Sequence, residues 1–142
     1  MGRGKLVREG RGFYDTNVLI AYLFKEENRF DVAKDVLRKH TTRALSIISI
    51  HEIHMYSIKF GVENKFLEVK TLLHKLLRIE PLNQDICFKA SHLRKTYKLP
   101  EIDSLVLATA VCLKYKHFYT FDKDFKELNN NVIEETLVHY LT

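Results

Sequence analysis

Proline and glycine are scarce in this chain, two and five among 142 residues. That excludes a collagen-like or low-complexity polymer, and a 46% share of hydrophobic residues indicates a folded globular protein. Long hydrophobic runs are missing too. The longest, Val18 to Phe24, has seven residues, against the ~18–20 that a membrane-spanning helix needs, so a soluble protein is expected. The first twelve residues are charged and lack an apolar core; they do not read as a secretory signal, and a cytoplasmic setting is the default expectation. Cysteine is limited to Cys87 and Cys112, each in an apolar stretch and neither in a CxxC pair. Both are expected to be buried core thiols, with a disulfide disfavoured.

The length suits one domain, which can bury roughly 68–70% of the surface of its unfolded chain. The formal net charge of +5 is unevenly spread. Arg3, Lys5, Arg8 and Arg11 against Glu9 place +3 in the first twelve residues, leaving 19 basic and 17 acidic side chains elsewhere. Charge therefore argues only weakly for an anionic partner. Residues 1–11 are expected to form a basic arm, either touching phosphate or merely solubilising, and residues 12–142 a single domain.

No Pro/Gly/Ser-rich linker or repeat divides the chain; Asn129 to Asn131 reads as a turn. Gly12 to Tyr14 is a short apolar strand, with a helix from Asn17 and an amphipathic helix from Arg29 to His40 placing Phe30, Ala33, Val36 and Leu37 on one face. Ala44 to Ile48 reads as a strand leading straight into a helix that Ser49 opens and Gly61 ends. Val62 to Arg78 is a further helix with Phe66, Val69, Leu73, Leu76 and Leu77 inward. Then come a strand at Ile79 to Leu82, a helix at Asn83 to Lys98, and a helix begun by Pro100 and running to about Lys116. His117 to Phe121 is an aromatic strand, Asp122 to Leu128 a turn or short helix, and Val132 to Leu137 a last strand. Strands alternating with helices imply crossover connections, hence an α/β fold with a mainly parallel sheet covered on both faces.

In such sheets ligands bind beyond the carboxyl ends of the strands. Asp15 follows the first strand, Glu52 the second, Asp103 lies in the first turn of the Pro100 helix, and Asp122 follows the aromatic strand. Each has a structural explanation. Ser49 and Glu52 form a capping-box pattern, Asp103 beside Glu101 complements a helix dipole, and Asp15 and Asp122 match ordinary caps. Context favours chemistry, because Asp103 shares its helical face with Val106, Leu107 and Ala110, and Asp15 is wedged between Phe13-Tyr14 and Val18-Leu19-Ile20. Carboxylates in apolar settings are expensive unless paired, and neither has a nearby basic residue in sequence. Several acids at one sheet edge would be partly protonated without a cation among them. A hard divalent ion, Mg²⁺ or Mn²⁺, answers that need, one or two in number; two would suit in-line cleavage of a phosphodiester.

Phe13 to Leu23 (FYDTNVLIAYL), Ser46 to Ile53 (SIISIHEI), Leu99 to Ala110 (LPEIDSLVLATA) and Thr120 to Phe125 (TFDKDF) resemble, in order and spacing, the motifs of PIN-domain nucleases. The resemblance implies a three-layer α/β/α PIN-like domain. It implies metal-binding and catalytic roles for Asp15, Glu52, Asp103 and Asp122, with Asp124 a rival or companion to Asp122. Asn17 and Thr120 match supporting polar positions, although a helix cap and a strand-end hydroxyl account for them equally well. A PIN domain without appended modules is similar to the toxin of VapBC-type toxin–antitoxin pairs. That implies an endoribonuclease acting on RNA, an antitoxin partner and a homodimer; the basic arm departs from that pattern.

Other readings are weaker. His51 and His54 flank Glu52, but H-E-I-H lacks the i, i+4 spacing of a zinc metalloprotease helix. His40, His74, His92, His117 and His139 are scattered and expected at the surface or in packing. No G-x-S-x-G elbow is present, and Asp15-Thr16-Asn17 lacks the D-x-D of an aspartyl-phosphate phosphatase. An RNA-processing PIN nuclease outside a toxin–antitoxin pair, or a non-catalytic RNA-binding PIN domain, stays open, and retention of all four acids argues against the latter.

Overall fold

A computed structural model describes residues 10–142; most of the expected basic arm lies outside that range. Arg11 is not part of an arm but opens the first strand, with its guanidinium donating to the Leu113 carbonyl at 2.5 Å and lying over the Tyr115 ring. Six strands form one sheet: β1 (Arg11–Tyr14), β2 (Thr42–Ser46), β3 (Arg78–Glu80), β4 (His117–Thr120), β5 (Val132–Ile133) and β6 (Thr136–Tyr140), in the order β3-β2-β1-β4-β6-β5. All pairs are parallel except β5 with β6. Six α-helices connect them: α1 (Thr16–Leu23), α2 (Phe30–Arg38), α3 (Ile47–Lys59), α4 (Phe66–Leu76), α5 (Gln84–Tyr97) and α6 (Glu101–Cys112). None of the helices among the described residues is long and apolar enough to cross a membrane.

The layers follow from strand alternation. Phe13, Ala44 and Phe118 face a core completed by α5 and α6, while their neighbours Tyr14, Leu45 and Tyr119 face a second core built with α1 to α4. The sheet is thus covered on both faces, as the sequence implied. Phe13, fully buried, meets Tyr115 edge-on at 5.2 Å and stacks with Phe118 at 6.2 Å; burying such a ring contributes about 1.5–3 kcal/mol.

Several expected boundaries shift. β2 stops at Ser46, whose hydroxyl caps α3 by accepting from the Ile48 amide at 3.1 Å. The helix therefore starts before Ser49, and the Ser49–Glu52 capping box does not form. The single helix expected over Val62 to Arg78 is a 3₁₀ turn (Glu63–Lys65), then α4, then β3, and Leu76 is 37% exposed rather than inward. The Pro100 helix ends at Cys112, short of Lys116. The last strand is a hairpin of β5 and β6, broken where Glu134 adopts φ 58°. The cysteines are not core thiols: Cys87 is exposed, Cys112 is half-buried, and both are free. Apolar neighbours in sequence misled there, because on an amphipathic helix adjacent residues point to different faces.

The face of the β4–β6 pair that carries Tyr119 and His139 is filled by packed rings. The His40 Nε2 atom lies 2.6 Å from the Tyr119 hydroxyl, His117 Nδ1 lies 2.9 Å from His139 Nε2, and His139 stacks on Tyr119 at 4.5 Å. Gly12 makes room, since a Cβ there would come within 2.5 Å of the Tyr14 hydroxyl. Burial, then the neighbouring His117, Lys39 and His40, push His139 down to about 4; burial with Lys39 and Lys116 lowers His117. Both histidines therefore bind protons more readily unfolded than folded. Their stabilisation is complete above about pH 6.5 and is lost as pH falls, toward 4 for His139. Across that window His139→Gln, which keeps a hydrogen-bonding group without a titrating one, should lose less melting temperature than the unmutated protein.

Candidate active site

Connections from β1 through β2 to β3 run to one side of β1, and β4 returns to its other side. The strand order thus reverses between β1 and β4, and the crevice beyond their carboxyl ends is where α/β sheets place ligands. Asp15 and Asp122 stand at those ends. The Asp15 amide donates to the Tyr119 carbonyl at 3.0 Å, locking the two strand ends together. As the cap of α1, Asp15 accepts from the Thr16 amide at 2.8 Å through Oδ1, and from the Thr120 hydroxyl at 2.8 Å through Oδ2. Asp122 caps the 3₁₀ segment Lys123–Leu128, accepting from the Asp124 amide at 2.9 Å. Capping and a place in the cleft are not alternatives here; both aspartates have both.

Asp103 arrives from the first turn of α6, above Val106, Leu107 and Ala110, all fully buried. One carboxylate oxygen each from Asp15, Asp103 and Asp122 lie within 4.8 Å of one another. Among the described residues no ion pair reaches any of the three. Asp15 is 4% exposed, and its carboxyl is lifted to about 7 by burial, helped by Glu52 and Asp122 and opposed by the Thr120 and Thr16 hydrogen bonds. Asp103 is lifted to about 8 by burial, by Asp15 and Asp122, by a hydrogen bond with Asp122, and by Asp124.

Glu52 lines the same cleft, of about 340 Å³, but stands outside the three-acid group. It sits in the second turn of α3, where Oε1 accepts a short hydrogen bond from the Thr16 hydroxyl; that hydroxyl also contacts Ser49 at 2.8 Å. Thr120 is fully buried, and its hydroxyl oxygen accepts the Asp122 amide at 2.9 Å while donating to Asp15. Asn17 takes the Phe121 amide at 2.9 Å and reaches Thr120 at 3.5 Å. Asp124 is exposed, outside the three-acid group, and lines a separate hollow with Lys98, Lys123 and Lys126. Thr16, Met55, Tyr56 and Lys59, which the motif pattern did not single out, also line the cleft. Met55, Tyr56 and Lys59 were findable as positions three, four and seven after Glu52 on one helix.

A mainly parallel, doubly covered sheet with carboxylates gathered at its switch point defines an α/β domain whose acidic cleft could hold a metal ion. More particularly, the chain belongs to the PIN domain family, whose model matches residues 13–131. No curated protein sequence matches it. It is similar to a chain of a toxin–antitoxin complex from Klebsiella pneumoniae, with 26% identity and a TM-score of 0.69 over 92% of this chain and 99% of that one. The fold is shared with VapBC2 from Rickettsia felis bound to a promoter DNA fragment, at 17% identity and TM-score 0.69 over 91% of this chain and 97% of that one. It is shared also with VapC20 from Mycobacterium tuberculosis, described as a Sarcin-Ricin loop cleaving toxin, at 16% identity and TM-score 0.70 over 87% of this chain and 97% of that one.

The acids titrate in the sense opposite to the histidines. A carboxyl whose folded value lies above its unfolded value holds its proton better when folded. Stability contributed this way is full below about pH 4 and is lost as pH rises toward 7 for Asp15 and 8 for Asp103. Without divalent ions, thermal melts should show a falling melting temperature between about pH 6.5 and 8, and Asp103→Asn should flatten that fall. An unchanged slope in the variant would mean that Asp103 does not hold a proton over this range in the folded protein.

Proposed function

We propose that this protein is a metal-dependent endoribonuclease that hydrolyses RNA phosphodiester bonds, acting as the toxin of a toxin–antitoxin pair. The observation that carries it is the convergence of Asp15, Asp103 and Asp122 within 4.8 Å of one another without a cationic partner among the described residues. Three hard oxygen donors so close fit Mg²⁺ or Mn²⁺, one or two ions, and disfavour a softer metal. When bound, such an ion supplies Lewis acidity and lowers the pKa of a coordinated water.

The chain's own residues divide the remaining work. Asp15 is held by two hydrogen bonds and cannot swing away, and Thr120 and Asn17 fix the strand end that carries Asp122. Glu52, with one oxygen committed to Thr16, keeps the other for orienting the attacking water and accepting its proton. Asp124 is assigned the outer position, through water rather than directly. Membership of the PIN family supports nuclease chemistry. The likeness to a chain of a toxin–antitoxin complex supports an antitoxin partner, and we add to that reading a homodimer acting in the cytoplasm.

With Mg²⁺ or Mn²⁺ the purified protein should cut RNA. Asp103→Asn should lower the rate roughly a hundredfold or more, the scale of several kcal/mol of lost transition-state stabilisation, while RNA binding persists. Cleavage undiminished by EDTA would refute the metal mechanism. Binding without cleavage by the unmutated protein would leave a non-catalytic RNA-binding domain.

A further inference from the structure

Beyond Glu52, the cleft has a wall that the carboxylate chemistry does not use. Helix α3 presents Glu52, Met55, Tyr56 and Lys59 at i, i+3, i+4 and i+7, hence on one face, and all four line the cleft with Asp15, Asp103 and Asp122. We propose that Tyr56 and Lys59 seat one unpaired nucleotide of a single-stranded RNA beside the aspartates, the base against the Tyr56 ring and a phosphate against the Lys59 ammonium. The choice of RNA rests on the nuclease reading; the mode of seating rests on this wall.

Charge argues for the phosphate. Lys59 is the cation lining the cleft among the described residues, facing four acids. Among those residues it forms no ion pair, and its ammonium lies 5.5 Å from the Phe60 ring. Glu52, the acid on its own helical face, already receives the Thr16 hydroxyl. A strand entering the cleft therefore meets, among the described lining residues, this lysine as the cation for one of its phosphates.

Ring packing argues for the base. Tyr56 is held at 4.8 Å from Phe24 and 4.5 Å from Phe60, both rings tilted by 43°. It is therefore fixed in place yet remains part of the cleft lining. Beside it Met55 is 51% exposed, an apolar, polarisable side chain at the rim of an acidic cleft, where solubility alone would favour a polar one. A duplex keeps its base faces stacked inside, and only an unpaired base offers a π-face to an aromatic side chain.

The test uses fluorescence anisotropy on the full chain carrying Asp103→Asn, with a labelled single-stranded ribonucleotide hexamer and the same sequence as a blunt duplex. Tyr56→Ala and Lys59→Ala are each expected to weaken single-strand binding about tenfold, and Tyr56→Phe to leave it within about twofold. Lys59→Ala should also reduce the slope of log affinity against log salt by about 0.7. The duplex should bind more weakly and respond little to Tyr56→Ala. Should Tyr56→Ala disturb the packing with Phe24 and Phe60, Tyr56→Leu fills the space without a π-face and is expected to show the same loss. Single-strand binding unaltered by the Tyr56 variants, a salt slope unaltered by Lys59→Ala, or a duplex bound as tightly as the single strand would overturn the proposal. The expected pattern together with RNA left uncut by the unmutated protein would uphold this seat and remove the nuclease reading. Cleavage without the pattern would remove the seat alone.

Discussion

The repulsion among three carboxylates gathered at one sheet edge is the constraint on which the rest of this structure depends. Asp15 is almost fully buried, and Asp103 and Asp122 share its neighbourhood without a lysine or arginine partner among the described residues. Such a group costs stability unless the surroundings hold it rigidly and a cation or protons neutralise it. The holding is visible. The Thr120 hydroxyl donates to Asp15 and accepts from the Asp122 amide, so a single buried oxygen couples two of the acids. The Asp15 amide ties β1 to β4, and Asn17 braces the same corner through Phe121.

Two titrating regions have opposite demands. In the ring stack on β4 and β6, His117 and His139 lose stabilisation as pH falls; at the carboxyl edge of the sheet, Asp15 and Asp103 lose it as pH rises. Between about pH 4 and 6.5 the two contributions oppose each other, and above about pH 6.5 the acids alone lower the stability of the ion-free protein. A divalent ion would relieve the alkaline side alone, because it acts on the acids and leaves the ring stack untouched.

Much of this was legible in the sequence because the strong signals were local. Short apolar strands followed at once by helices dictated a parallel, doubly covered sheet, and the ends of those strands placed Asp15 and Asp122 where they stand. Asp103 was legible from its apolar helical face. What was not legible depended on boundaries and on facing. Ser49 looked like a cap because Ser46 and Ser49 are both competent, and only the end of β2 decides between them; once Ser46 caps, Glu52 has no capping role and turns into the cleft. The Val132 to Leu137 run concealed a hairpin, since Glu134 at positive φ is not a residue that announces a turn. Asp122 and Asp124 were indistinguishable until the 3₁₀ segment turned Asp124 outward. Cys87 depends on helical facing that motif order does not carry, and the tyrosine–lysine wall of α3 follows only from counting helical positions onward from Glu52.

The central claim is that the three aspartates form a divalent cation site, and anomalous diffraction from crystals soaked in Mn²⁺ tests it most directly. A peak within bonding distance of carboxylate oxygens from Asp15, Asp103 and Asp122, absent from Asp103→Asn crystals, is the result expected. The contrary result is a clean map at millimolar Mn²⁺ with no peak among these carboxylates.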